Sequence, residues 1–131
     1  MRIRLQISKA QIESVRRELE AAGNFLTVRD PEGARVRIAA DGIIFIESYG
    51  HNVDVHTTDG IYASPDPLYQ LAAQLDPAQF LRISNSVIIA RRHVKKIRPS
   101  LSMKFVLTLS DGTLVDVTRS YYGAFREFFH I

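Results

Sequence analysis

The sequence contains no cysteine. Disulfides and thiolate metal sites are therefore excluded, and the absence suits a cytosolic protein. No apolar run approaches the roughly 18 residues needed to span a bilayer. The opening "MRIRLQISKAQ" also lacks the apolar core of a signal peptide. A cytoplasmic chain is expected. The familiar catalytic signatures are missing too: there is no HExxH, no GxSxG and no glycine-rich phosphate loop. The four histidines do not fill that gap. His51 and His56 are five apart in a strand-like segment and point to opposite faces, while His93 and His130 have no acidic or histidine neighbour at ligand spacing. These absences argue against an enzyme and call for no cofactor. There is no internal repeat, low-complexity tract or flexible linker. The last absence is local. Between Phe80 and Ser110 there are seven Lys or Arg and no Asp or Glu. A net charge of +3 only permits an anionic partner; the uneven distribution says more.

What is present reads as a small α/β piece followed by a run of short strands. At 131 residues and 46% hydrophobic, the chain is long enough to bury a core. "RIRLQIS" alternates as a half-buried strand does. Ser8 and Gln11 make a capping box at the start of a helix, on which Ile12, Val15 and Leu19 form one apolar stripe before Gly23-Asn24 ends it. "FLTVRD" and "ARVRIAA" are strands separated by the turn Pro31-Glu32-Gly33. Residues 1–40 thus form a β-α-β-β segment, assigned to regulation or dimerisation, and residues 41–131 a mainly β domain. That domain is expected to hold eight strands: "IIFIES", "NVDVHTT", "GIYAS", "FLRIS", "SVIIAR", "VKKIRP", "KFVLTLS" and "TLVDVTR". Asp59-Gly60 and Asp111-Gly112 mark hairpins, because both residue types tolerate positive φ. "PDPLYQLAAQLDPAQ" is a short helix with Leu68, Leu71, Ala72 and Leu75 on one face. "SYYGAFREFFHI" closes the chain as an amphipathic piece.

Three turns carry side chains suited to nucleic acid, each with a plainer explanation beside it. "YGHN" at 49–52 is hairpin material, which accounts for Gly50 and Asn52 but leaves His51 at an exposed tip. "RISNS" at 82–86 is also turn material, yet Asn matches adenine N6/N7 with two hydrogen bonds and serine hydroxyls suit phosphate oxygens. "VTRSYY" at 117–122 ends a strand with Arg119, whose planar fork fits guanine O6/N7 or a phosphate. The basic "RRHVKKIR" at 91–98 is most simply a solvated edge, since cations on an edge strand discourage aggregation. Here it lies just after "SNS", and Lys104 follows.

With those residues in place, the chain resembles the LytTR family of bacterial DNA-binding domains from about Ile43 to Phe129. Four blocks carry the resemblance in order: "IIFIESYGHNVDVHT", "LYQLAAQL", "FLRISNSVIIARRHVKKI" and "VLTLSDGTLVDVTRSYYGAFREFF". The resemblance implies an elongated fold of about ten strands in three small sheets with short helices and no recognition helix. It implies sequence-specific binding of double-stranded DNA by loops in successive major grooves, in a bacterial transcriptional regulator. The base-contacting positions fall on His51, Asn85 and Arg119, and the backbone contacts near Asn52, Arg82, Ser84, Ser86 and Tyr122. Two positions depart from the family pattern: Ala90 stands where Asn is usual, and Thr118 where Ser is usual. With no receiver domain ahead of residue 43, the chain resembles the stand-alone members. That likeness implies a homodimer on paired repeat sites, a membrane inhibitor protein as a partner in some cases, and RNA polymerase where the regulator activates. Two other classes fit the residues: a protein-interaction module whose basic face binds an acidic partner, and an RNA-binding domain. The tyrosines and phenylalanines form no stacking pattern on one strand that would favour RNA.

Overall fold

The computed structural model describes residues 8–12 and 25–131. At the N-terminus the capping box is present in both halves. The Gln11 amide donates to Ser8 Oγ at 3.2 Å, and the Ser8 amide donates to Gln11 Oε1 at 2.8 Å, which satisfies two donors that a helix start leaves orphaned. A helical turn follows at residues 9–12, with Ile12 exposed. All of the predicted strand "RIRLQIS" except Ser8, and Val15, Leu19 and the helix end at Gly23-Asn24, lie outside the described residues.

Ten strands, two helices and three short 3-10 turns make up the rest. Strands β1 (Phe25–Arg29) and β2 (Arg35–Ala39) form a hairpin. Its turn is fixed by Asp30, whose carboxylate accepts the Glu32 and Ala34 amides. There follow β3 (Ile43–Tyr49), β4 (Asn52–Thr57), β5 (Gly60–Ala63), helix α1 (Leu68–Gln74), β6 (Phe80–Arg82) and β7 (Val87–Ala90). A 3-10 turn at Arg91–His93 leads into β8 (Val94–Ser100), β9 (Lys104–Leu109) and β10 (Leu114–Val117). A second at Arg119–Tyr121 leads into helix α2 (Tyr122–Phe129). All eight strands expected after Asp41 are present, as are the short helix and the closing amphipathic piece.

The hydrogen-bonded ladders divide these strands into two sheets, in the orders β2-β1-β5-β4-β3-β7-β6 and β10-β9-β8. Two sheets stand where three were expected, and the β1–β2 ribbon, expected in a separate segment, is part of the larger one. It joins β5 through one paired position, Arg29 with Ala63, so it counts as part of the seven-stranded sheet by the narrowest margin. Its side chains are committed to the same core nonetheless. Leu26, Val28 and Ala40 are buried with Ile43, Ile46, Val55 and Ile88 under α1, which contributes Leu68 and Leu71, with Leu75 just past its end.

The other face of the larger sheet packs on the three-stranded sheet and α2. Ile44, Phe45, Ile83 and Ile89 meet Phe105, Leu107, Leu109, Val117 and Phe125 there. Strands buried on both faces need apolar residues in unbroken runs, which accounts for "IIFI" and "VIIA". A register shift between Ile43 and Phe45 explains why consecutive Ile44 and Phe45 both serve the second core, since a bulge inserts a residue and resets the alternation. Each buried Leu, Ile, Val or Phe contributes about 1.5–3 kcal/mol. Helices α1 and α2 turn their apolar faces to these cores.

Arg91 fastens α2 to the body. Its Nη2 donates to the Phe128 carbonyl at 2.6 Å, its Nε donates to the Ala78 carbonyl at 3.0 Å, and its guanidinium lies 3.9 Å from the Phe128 ring centroid. Ala90 is buried just before it. The turn after Ala90 forms without an Asn side chain. The Arg91 amide donates to the Gln79 carbonyl, and the His93 ring lies within hydrogen-bonding distance of Ser110 Oγ (2.7 Å) and the Asp41 carbonyl (3.2 Å).

Candidate nucleic-acid interface

Three turns come together at one end of the strands, and each is set by local chemistry. The first is the two-residue turn between β3 and β4. Tyr49 and Asn52 are the last paired positions, Gly50 takes a positive φ of 59°, and His51 is left exposed at the tip. A turn of two residues between paired strands leaves the backbone little freedom. Tyr49 braces the flank by donating its hydroxyl to Asp54 at 2.6 Å. That bond, with the Asp54 charge behind it, pushes the phenol pKa above its ordinary value, so Tyr49 stays a neutral donor.

The second turn is Ile83–Ser86, between β6 and β7. The Ile83 amide donates to the Val87 carbonyl and the Ser48 amide to the Ser86 carbonyl. Ser84 is buried, and its hydroxyl accepts the Ser86 amide at 3.2 Å. Arg82 folds back over this turn, its Nη2 donating to the Asn85 carbonyl at 2.7 Å and its Nε to the Ser84 carbonyl at 3.2 Å. The arginine and the inner serine therefore hold the turn, and the exposed Asn85 side chain is what the turn displays. Arg82 also lines a solvent-open groove of 440 Å³ with Ser48, His51 and Tyr69, which makes the first two turns neighbours.

The third turn follows β10. The Thr118 amide donates to the Ile83 carbonyl at 3.0 Å, with Thr118 Oγ1 at 3.5 Å from the same atom. Arg119 then stands exposed at the start of its 3-10 turn. The Tyr121 hydroxyl donates to Asn85 Oδ1 at 3.4 Å, which ties the third turn to the second. The half-buried Tyr122 stacks its ring on Phe105, 5.0 Å between centroids. Sequence reasoning did not single out Tyr121. The adjacent "YY" gives no local signal that, of two rings both leaning on the core, the first sends its hydroxyl to Asn85 and the second stacks on Phe105.

The described cations of the basic run divide into two groups. Arg82 and Arg91 are bound to backbone carbonyls, and Arg92 pairs with Asp41 at 3.3 Å. Lys95, Lys96, Arg98 and Lys104 are exposed, and no ion pair engages them among the described residues. Three of these four lie on β8, an edge strand. Strand register spreads them along the sheet. Lys104 pairs with Ser100, one step beyond the Phe105–Val117 pair that precedes Arg119. Lys96 pairs with Thr108, opposite Leu114 at the far end. At about 3.3 Å per residue, Lys96 sits roughly 10 Å behind the level of Val117.

Comparison with known proteins identifies the family and the fold. Residues 33–130 match the model of the LytTr DNA-binding domain. The transcriptional regulatory protein LytR of Staphylococcus aureus is 31% identical over 84 residues, 64% of this chain and 34% of that protein. The CO-responsive transcriptional regulator RcoM of Rhodospirillum rubrum is 39% identical over 86 residues, 65% of this chain and 36% of that protein. The chain thus spans about a third of the length of these curated relatives. Among solved structures, a LytTr DNA-binding domain from Bacillus cereus superposes with a TM-score of 0.77 at 21% identity, covering 82% of this chain and 98% of that one. The fold is shared with that domain, and the chain belongs to the LytTr DNA-binding domain family.

Proposed function

We propose that this chain binds double-stranded DNA in a sequence-specific manner, within a bacterial transcriptional regulator. His51, Asn85 and Arg119 face base edges in successive major grooves. Asn52, Arg82, Ser84, Ser86 and Tyr122 lie along the backbone. Among these, Asn52 is exposed and available to a phosphate, and Ser86 shares its hydroxyl with Ser84 at 3.4 Å. Arg82 and Ser84 act mainly by holding the turn in shape, and Tyr122, stacked on Phe105, has only its outer edge to offer. The observation that carries this reading is the coupling of the second and third turns. The Thr118–Ile83 and Tyr121–Asn85 hydrogen bonds hold Asn85 and Arg119, two side chains with bidentate base partners, in fixed relation to each other. Side chains fixed in advance lose less freedom on binding.

Selection from a random duplex library is the direct test. A converged motif that the chain holds well above scrambled duplex supports the reading, and the log of affinity should fall linearly with the log of salt. Equal affinity for selected and scrambled duplex at moderate salt sinks it. Preference for single-stranded RNA or for an acidic polypeptide would instead favour one of the two alternative classes.

The reading extends to assembly. Paired repeat sites would engage two copies of the chain, and a two-fold dimer adds their binding through effective concentration. Of residues 1–40, strands β1 and β2 belong to the seven-stranded sheet, so we assign dimerisation to the residues ahead of Phe25. Sedimentation of the full chain beside one shortened to begin at Asn24 decides the point. The full chain should be dimeric at tens of micromolar and the shortened one monomeric. The same state for both removes those residues from the interface.

A further inference from the structure

The hairpin joining β8 to β9 ends in an unusual tip. Ser100 and Lys104 are its last paired residues, leaving Leu101, Ser102 and Met103 to make the bend. Leu101 is 88% exposed and Met103 58%, so two large apolar side chains of one three-residue bend reach into solvent. Ser102 and Met103 both take left-handed backbone, with φ of 64° and 57°. Gly or Asn would ordinarily stand at such positions, and a long side chain there is strained. A single exposed leucine needs no explanation. Two apolar residues held out together on strained backbone are worth explaining, because strain of this kind clusters at functional sites.

Position and charge narrow the partner. Register places this tip beyond the Phe105–Val117 pair, at the end of the sheet where β10 delivers Arg119. The residues flanking it are cationic, Arg98 before and Lys104 after, and no carboxylate occurs anywhere from Phe80 to Ser110. An apolar point in a cationic collar fits a surface that is anionic outside and apolar within. A stacked duplex seen from its minor groove is such a surface.

We propose that Leu101 and Met103 form a wedge that enters the minor groove beside the base pairs read by Arg119. The wedge opens one base step and bends the duplex, while Arg98 and Lys104 hold the phosphates on either side. This inference rests on the DNA-binding reading above. It assigns to the hairpin tip a shape-dependent contribution to specificity, separate from the hydrogen bonds of the three turns. Flexible pyrimidine–purine steps are the favoured targets, because they unstack most easily.

The test uses the full chain and its selected duplex, labelled at both ends for energy transfer and carrying 2-aminopurine at successive minor-groove positions. Wild type should bend the duplex by an angle in the range of about 20–90° found for inserted side chains, with 2-aminopurine brightening at one step. The double variant Leu101→Ser/Met103→Ser should leave the duplex nearly straight and the 2-aminopurine dark, while keeping the base preference that Arg119 confers. Since both side chains are exposed, its circular dichroism should match wild type. Leu101→Phe, which keeps an apolar wedge, should retain the bend and guards against misreading a damaged hairpin. A flexible mismatch at the bright step should recover affinity for the serine variant. A wild-type chain that binds its site selectively but leaves it straight overturns the wedge and spares the DNA-binding reading. A serine variant that bends DNA as wild type does has the same result. Absence of any selective duplex binding overturns both.

Discussion

The first three arginines of the basic run and the four cations after them look alike in sequence and differ in what they touch. Arg82 and Arg91 donate to main-chain carbonyls, and Arg92 to a carboxylate. Lys95, Lys96, Arg98 and Lys104 point into solvent. A guanidinium bound at several points inside a fold has already spent its donors, and its charge acts mainly on its neighbours. A solvated cation is still available to a phosphate. Positive charge in a sequence is thus an upper bound on an electrostatic footprint, and the footprint is the part that the fold leaves unclaimed.

Substitutions can break that comparison. Arg91→Ala should have the largest effect, and on stability. It strands the Phe128 and Ala78 carbonyls and frees α2, and hydrogen bonds from a charged donor are worth about 1.5–3 kcal/mol. A loss of about 2–3 kcal/mol in urea unfolding is expected, with duplex affinity preserved wherever the chain is folded. Unfolding at the wild-type midpoint would return Arg91 to the solvated group. Arg119→Ala should do the opposite, leaving unfolding unchanged while weakening the selected duplex by about 1–3 kcal/mol and relaxing one base pair. Full selectivity in the folded variant would remove Arg119 from base readout.

The free cations sharpen the comparison by position. Lys104→Ala and Arg98→Ala should weaken all duplexes alike and each flatten the salt dependence by about 0.9 in log–log slope. Lys95→Ala and Lys96→Ala, set further back on the edge strand, should change the slope little and instead favour edge-to-edge association, seen as light scattering on concentration. Equal slopes for all four variants would mean that the whole strand lies on DNA. Smallest is Arg92→Ala. Its side chain is 48% exposed and that of its partner Asp41 74%, and exposed ion pairs contribute about 0–1 kcal/mol.

These differences also mark where sequence reasoning stops. Features written in adjacent residues were legible: the strand alternations after residue 24, the Asp59-Gly60 and Asp111-Gly112 turns, the Ser8–Gln11 capping box and the Leu68–Gln74 helix all form where their patterns stand. So was the family, because four blocks in order are a local signal repeated. The fate of each arginine was not legible. Arg91 is 37 residues from the carbonyl it binds, and no spacing rule reaches that far. Division of the strands into sheets was hidden for a related reason, since it turns on one pairing of Arg29 with Ala63. The hairpin tip at Leu101–Met103 lacks the Gly or Asn that usually announces such a turn, so the sequence shows two strands with an ordinary link between them.

The second and third turns are held through peptide groups: Ile83 to Val87, Ser48 to Ser86 and Thr118 to Ile83, with Arg82 on the carbonyls of Ser84 and Asn85. None of these backbone bonds depends on which side chain stands at 85 or 119; the Tyr121–Asn85 bond alone is lost when residue 85 changes. On the proposed reading, in which residues 85 and 119 face base edges, a lineage carrying this fold can exchange the letters it recognises by single substitutions while most of the frame that aims them stays put. Specificity held in a few displayed side chains, on a frame built from peptide groups, would let reader and target sequence drift together in small steps.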